Sequence, residues 1–169
     1  MEYNVRQIRE DDYKTIFSWI ESEGIDIYPL PASKSSEYDI LKEFESYFSK
    51  NYFYIIEIVP DNKRVGFCHI DRYDVVGQNV NTYFYVEPNY DMKEIIQHII
   101  KHFFFNLNVN RISFFIFEFE KSKITALQNL QTIGVTKTGV FPEDIYRHGK
   151  YYDKYIYSVL CREYSTKNI

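Results

Sequence analysis

Glycine and alanine are scarce in this chain: 169 residues contain six glycines and two alanines. Backbone with positive φ is therefore confined to few places, and any loop that must press its backbone against a ligand has little glycine to use. Cysteine is scarcer still. Cys68 and Cys161 lack metal-ligand spacing, which leaves out a thiolate metal site and a disulfide framework, and both fall in strand patterns that predict buried thiols in a cytoplasmic protein. Basic residues are in no excess. With 20 Lys and Arg against 24 Asp and Glu, the net charge of −4 offers no footprint for nucleic acid and mildly favours cationic ligands. No apolar run reaches membrane-spanning length, and residues 1–9 carry no leader-like pattern, so no membrane partner is expected and the predicted location is the cytoplasm.

What the chain has in abundance is aromatic: 17 Tyr and 14 Phe, within 45% hydrophobic and 26% charged residues. That composition is globular and the length suits one domain, 1–169, with no repeat, low-complexity tract or linker. Most of the rings are expected in the core, so a single aromatic side chain says little about function.

Along the chain, residues 3–8 read as a strand, and Asp11 or Asp12 can cap a helix bearing Tyr13, Ile16, Phe17 and Ile20. Pro29 and Pro31 mark a loop over residues 24–33. Ser36 and Asp39 form a capping-box pattern ahead of a second helix with Ile40, Phe44, Tyr47 and Phe48, ending near Lys50. Residues 52–59 and 65–73, joined by a turn at 60–63, predict a hairpin that leads through Gly77 to a strand at 82–86.

Residues 82–135 are the most informative. The strand at 82–86 stops at Pro88, and Met92, Ile95, Ile96, Ile99, Ile100, Phe103 and Leu107 then recur at helical spacing; a strand at 112–119 and another helix, closed by Gly134, follow. Two parallel strands joined by a crossover helix open a crevice at their carboxyl ends, into which the helix N-terminus points unpaired N–H groups. Beyond Gly134 the pattern gives residues 135–141, a loop through His148 and Gly149, and a last strand at 154–160.

This order resembles the GNAT superfamily of N-acetyltransferases over nearly the whole chain. Local matches are similar to its ribosomal-protein N-terminal acetyltransferase branch: Pro88 and Tyr90 before the helix, residues 104–111 leading into the next strand, and Gly134 with an apolar neighbour. The tail, with Gly149, Tyr151, Asp153, residues 157–160 and Glu163, resembles it too. The resemblance implies an α/β fold whose mixed, twisted sheet contains one splayed parallel pair flanked by helices. It implies acetyl-CoA as co-substrate along Phe84, Tyr85 and Val86, with the pyrophosphate on the turn that holds Met92, Lys93, Glu94 and Ile95.

The chain departs from the family pattern at that turn. Met92, Glu94 and Ile96 stand where glycine or alanine is usual, and Asp91 where a basic residue is common, so side chains obstruct and carboxylates oppose the anion while Lys93 alone compensates. By the same alignment, the tyrosine that often protonates the leaving thiolate falls on Leu130, the asparagine that often begins the last helix on Lys123, and an early strand carboxylate on Asn81.

Amine acetylation needs a group to take the proton of the amine and donors for the tetrahedral oxygen. Glu87 lies where the parallel strands should diverge, and Glu118 continues the face of Ile112, Phe114 and Ile116; each also reads as a strand-end charge reaching water. His69 and Asp71, on the hairpin, could face an acceptor or serve as structural polar groups. Tyr28 and Tyr152, with Tyr146, His148 and Tyr151, could line the acceptor pocket. Glu94, His98 and His102 form a helical stripe with metal-capable spacing, but they share the face of Lys93, Gln97 and Lys101, which predicts a solvated surface and no metal. Two functions fit: an acetyltransferase acting on a primary amine of a small molecule or peptide terminus, and a catalytically silent domain of this fold that binds something other than CoA.

Overall fold

The computed structural model describes residues 1–23 and 52–167. Its elements are β1 (Glu2–Gln7), a short 3-10 turn (Glu10–Asp12), α1 (Tyr13–Glu23), β2 (Tyr52–Val59), β3 (Lys63–Asp74) and β4 (Asn79–Val86). They continue with α2 (Met92–Phe105), β5 (Arg111–Phe117), α3 (Lys121–Gln128), a second 3-10 turn (Gln131–Ile133), β6 (Thr136–Arg147), β7 (Lys150–Leu160) and α4 (Cys161–Lys167). The expected helix of residues 36–50, and with it Tyr28, lies outside the described residues.

Seven strands form one sheet in the order β1-β2-β3-β4-β5-β7-β6. Every neighbouring pair is antiparallel except β4 and β5. The crossover between those two is α2, whose Ile95, Ile96, Ile99, Ile100 and Phe103 are fully buried. They pack on Tyr54, Ile56, Cys68, Ile70, Phe84 and Val86 of the sheet, with Ala126, Leu127 and Leu130 beside them. Alternation along the strands sends the intervening side chains to the other face. There α1 lays Ile16 and Trp19 on Phe53, Ile55, Phe67 and Tyr85.

One close approach sets the line of β4. A Cβ on Gly66, paired with Val86, would lie 2.3 Å from the Tyr85 carbonyl oxygen, so only glycine lets β3 and β4 come together there. Gly134 has φ of 96°, which closes the segment after α3 as its position in the sequence suggests.

Five expectations need correction. The strand read as 112–119 is β5 and ends at Phe117, because the chain turns at Glu118 to enter α3; Glu118 and Phe119 lie beyond it. The strands read as 135–141 and 154–160 are longer, β6 and β7 pairing on through Ile145↔Tyr152 and Tyr146↔Tyr151 after a register shift between Phe141 and Ile145, so the loop is only the tip at His148 and Gly149. Cys161 is the first residue of α4, a helix not foreseen, and is half-buried; Cys68 is buried in β3, and both thiols are free. His98 and His102 are not on a solvated face. They are half-buried, edge-on to Tyr3 and Tyr54 with ring centroids 5.5 and 5.3 Å apart, because α2 leans over β1 and β2. Finally, Asp71 falls in a register shift between Ile70 and Arg72 and is exposed, as are the residues after it to Asp74 at the end of β3, so it is not a buried structural polar group.

Candidate active site

The parallel strands pair only from Asn79↔Arg111 to Thr82↔Phe114. Beyond that point β4 stays on β3, through Tyr83, Phe84, Tyr85 and Val86, while β5 stays on β7 through Phe117↔Lys154. The strands therefore separate at their carboxyl ends. The Glu87 N–H donates to the Val65 carbonyl at 2.9 Å, so by alternation the backbone of Tyr85 and Tyr83 also faces β3. The amides and carbonyls of Phe84 and Val86 face the opening instead, where the ladder with β5 has ended. Polar main chain held at such an edge suits pairing with an extended amide-bearing ligand.

Glu87 closes this strand. Its Oε1 accepts the Trp19 indole N–H at 3.0 Å, and Trp19 itself lies 5.4 Å from the Tyr85 ring and 6.2 Å from that of Phe67. The carboxylate is thus half-buried on the α1 side, oriented by a rigid donor, with aromatic surface around it. Tyr83 extends that surface to Phe115, 5.6 Å away, and Lys154 sits 5.5 Å from Phe115 and 5.1 Å from Phe141 while pairing with Asp144 at 2.6 Å. An aromatic wall with a fixed carboxylate suits a cationic amine.

The other proposed site residues are placed as follows. Glu118 lies just past β5, where its N–H donates to the Asp153 carbonyl at 2.9 Å. It belongs to the turn into α3 rather than to the strand face. Burial, then the charges of Glu118 and Asp153, hold the Tyr155 phenol above its ordinary value. His69 is buried and stacked on Phe53, with centroids 4.2 Å apart. Burial pushes its imidazole down to about 4, so at neutral pH it is an uncharged ring of the core. Its strand partner is Tyr83, four residues and about 13 Å along β4 from Glu87, so the two do not form one constellation. Tyr152 is half-buried and edge-on to Phe119 at 5.2 Å. Leu130, where the family tyrosine would align, is fully buried in the core.

At the turn before α2 the structure adds a fact the sequence does not state. The Asp91 carboxylate caps the helix, accepting the Glu94 N–H at 3.2 Å, while the Glu94 side chain faces the N-terminal ammonium at 3.5 Å. A helix N-terminus that could receive an anion from outside already holds one of its own. Met92 is half-buried against the core, Lys93 is exposed and Ile95 is buried, so of these four residues only Lys93 presents a free positive charge. The strand half of a CoA site fits; the pyrophosphate half does not fit without displacement of Asp91.

Sequence reading missed Trp19 and Glu120, and singled out Lys123 only as the place of the family asparagine. Trp19, the chain's single tryptophan, is 68 residues from Glu87 and only the fold joins them. Glu120 and Lys123, three apart, carry an ordinary helix-pair signal, yet the structure places them at the strand opening. Glu120 Oε2 accepts the Phe117 N–H at 2.8 Å, and Lys123 Nζ lies 5.1 Å from the centre of the Phe84 ring.

No protein-family model matches the chain, and no curated protein is similar to it in sequence. Solved structures are similar to it in shape. A dodecameric spermidine N-acetyltransferase from Vibrio cholerae superposes with a TM-score of 0.80 at 13% identity, covering 99% of this chain and 98% of its own. A chimera of the Vibrio cholerae enzyme with hSSAT gives 0.79 at 14%, covering 98% and 99%, and a mutant of the spermidine/spermine enzyme gives 0.77 at 12%, covering 99% and 100%. The chain has the GNAT fold. Identity this low establishes architecture and leaves chemistry to the site. Among the described residues, no three His, Cys, Asp or Glu side chains cluster as metal ligands, and no helix is long and apolar enough to cross a membrane.

Proposed function

We propose that the chain is an N-acetyltransferase that moves an acetyl group from acetyl-CoA to the primary amine of a small molecule. The observation that carries this reading is the parting of β4 and β5 after Thr82, with the backbone of Phe84 and Val86 turned into the gap and Glu87 at its edge. Shape likeness to enzymes named for spermidine favours a small aliphatic amine over a peptide terminus as acceptor. An oligomer is compatible with the dodecamer among those structures, and a cytoplasmic enzyme with free thiols is the matching setting.

In this mechanism acetyl-CoA supplies the activated acyl group. The main-chain groups of Phe84 and Val86 that face the opening would hold its amide-bearing arm. Glu87, fixed by Trp19, would take the proton that the amine must lose before its nitrogen attacks the carbonyl carbon; the carbon–sulfur bond then breaks, sulfur leaves with its electron pair, and the second N–H proton, released as the amide forms, passes to solvent. Trp19, Tyr85 and Tyr83 exclude water and stack against the acceptor's methylenes.

A second reading has its own observation. Asp91 occupies the helix terminus and no glycine lies between residues 88 and 96, which suits a silent fold that binds another ligand. Steady-state assay with acetyl-CoA and a panel of diamines and polyamines separates the two. The transferase reading requires CoA release that depends on amine; a chain that binds amines but releases no CoA is the silent one.

A further inference from the structure

At the other end of β4, about 20 Å along the strand from Glu87, lies a cavity of about 120 Å³ that the acetyltransferase reading does not use. Tyr54, Ile70 and Val80 of the sheet form its floor, and Leu107 and Val109, from the turn between α2 and β5, form its roof. Two exposed tyrosines, Tyr52 and Tyr73, stand at its mouth, edge-on with ring centroids 6.4 Å apart. The register shift at Asp71 builds that mouth. Ile70 pairs with Thr82 and Tyr73 with Val80, so two residues that plain alternation would send to opposite faces share the α2 face. The roof is fixed as well, because the Val109 N–H donates to the Phe103 carbonyl at 3.1 Å and the Asn110 N–H to the Gln78 carbonyl at 2.7 Å. Both walls are set by backbone pairing, and the cavity is preformed.

One polar group on the wall is unsatisfied. Tyr54 is only 7% exposed and its ring is held edge-on by His102 and Phe103 at 5.3 and 5.6 Å, yet its hydroxyl has no hydrogen-bond partner among the described residues. That hydroxyl is not one of the polar atoms sealed in the core, so the space onto which it opens is the cavity. Burial pushes the phenol up to about 12, which keeps it a donor at neutral pH. A buried donor without a partner is costly, and an acceptor on a ligand would satisfy it. Among the described residues no charged side chain lines the cavity, so an ion entering it would lose its hydration without gaining a counter-charge. A cavity of this order accepts one six-membered ring. We infer that it is a binding site for a small neutral aromatic molecule with one hydrogen-bond acceptor, the ring lying between Ile70, Val80, Leu107 and Val109 and the acceptor on the Tyr54 hydroxyl. This site is separate from the strand opening and does not depend on what that opening binds.

Phenol is the probe, with toluene as a ring that lacks the acceptor and tetramethylammonium as a cation that tyrosine rings could attract. Calorimetric titration of the whole chain should give a phenol Kd below about 1 mM and no binding of tetramethylammonium. In amide spectra phenol should shift Ile70, Val80 and Val109 and leave Phe84 and Val86 unmoved. Tyr54→Phe, which removes only the hydroxyl, should weaken phenol about tenfold and toluene by less than about twofold. Leu107→Trp, which fills the cavity from its half-buried edge, should abolish binding of both. The assignment is overturned by phenol that fails to bind at about 10 mM, that shifts amides elsewhere, or that binds either variant as well as wild type. Tetramethylammonium bound more tightly than phenol would overturn it too, making the cavity a cation cage. The transferase reading stands or falls separately, on CoA release.

Discussion

Two carboxylates show how a residue's surroundings decide its role. Asp12 has no exposed surface, yet it accepts from Arg6 Nη1 at 2.7 Å and Nη2 at 3.1 Å, from Arg64 Nε, and from the Arg9 N–H at 2.8 Å. Arg6 also donates to Glu57, so one network links β1, β2, β3 and the entry to α1. Burial alone would raise the Asp12 carboxyl, but hydrogen bonds from Arg6, Arg9 and Arg64 outweigh it and hold the group below its ordinary value. A lowered folded-state value means that the stabilisation is fully present above about pH 4 and is lost as pH falls through the folded-state value. Asp12→Ala, which leaves Arg6 with Glu57 and Arg64 with Asp11 as their remaining carboxylate partners, should cost about 3 kcal/mol in urea unfolding at pH 7 and progressively less as the pH is brought down. A loss independent of pH would show that the charge is not the source.

Glu87, held by one indole donor at the strand opening, is the residue whose loss should harm turnover most. Glu87→Gln should lower kcat by about 10² to 10⁴, and by more than Glu118→Gln does. The reverse order, read from steady-state rates, would move the base to Glu118.

At the scale of elements, the account turns on β4 with its gap and on the turn into α2. The Asp91 carboxylate both caps the helix and repels a diphosphate. Asp91→Ser keeps an oxygen for the Glu94 N–H and removes the charge, so helix stability should change by less than about 1 kcal/mol while acetyl-CoA affinity rises severalfold. Since the opposition is electrostatic, added salt should strengthen wild-type binding and leave the variant's nearly level; calorimetry at two ionic strengths checks this. Affinity that falls with salt in both would mean that Lys93 outweighs Asp91.

The parallel pair and its crossover were legible because α2 repeats apolar residues at helical spacing, Ile95, Ile96, Ile99, Ile100 and Phe103, and Pro88 separates it from β4. The extent of the strands in the hairpin of β6 and β7 was not. Most β6 side chains are exposed on both faces, so no alternation marks the strand, and Glu143 and His148 adopt positive φ without being glycine. The α1-side contact of Glu87 with Trp19 and the placing of Lys123 at Phe84 were likewise hidden, since each joins distant segments and depends on which face a strand residue occupies. His98 and His102 misled because neutral imidazole rings pack on tyrosine as readily as they face water; burial keeps both below the ordinary histidine value.

For the whole molecule, the sheet separates two tasks. One face, under α2 and α3, is a continuous apolar core that keeps β4 and β5 in place; the other, under α1, is aromatic and carries the fixed carboxylate. The strand opening joins these faces, with Glu87 on one side and Lys123 on the other, and the central claim is that acetyl-CoA enters there. Thermal unfolding with and without acetyl-CoA tests it most directly. At a hundredfold the Kd, a ligand specific to the folded state adds about 2.7 kcal/mol, which for a chain of this size raises Tm by about 5 to 10 °C. The account predicts that rise for acetyl-CoA and CoA alike at neutral pH; a Tm unmoved by millimolar acetyl-CoA would contradict it.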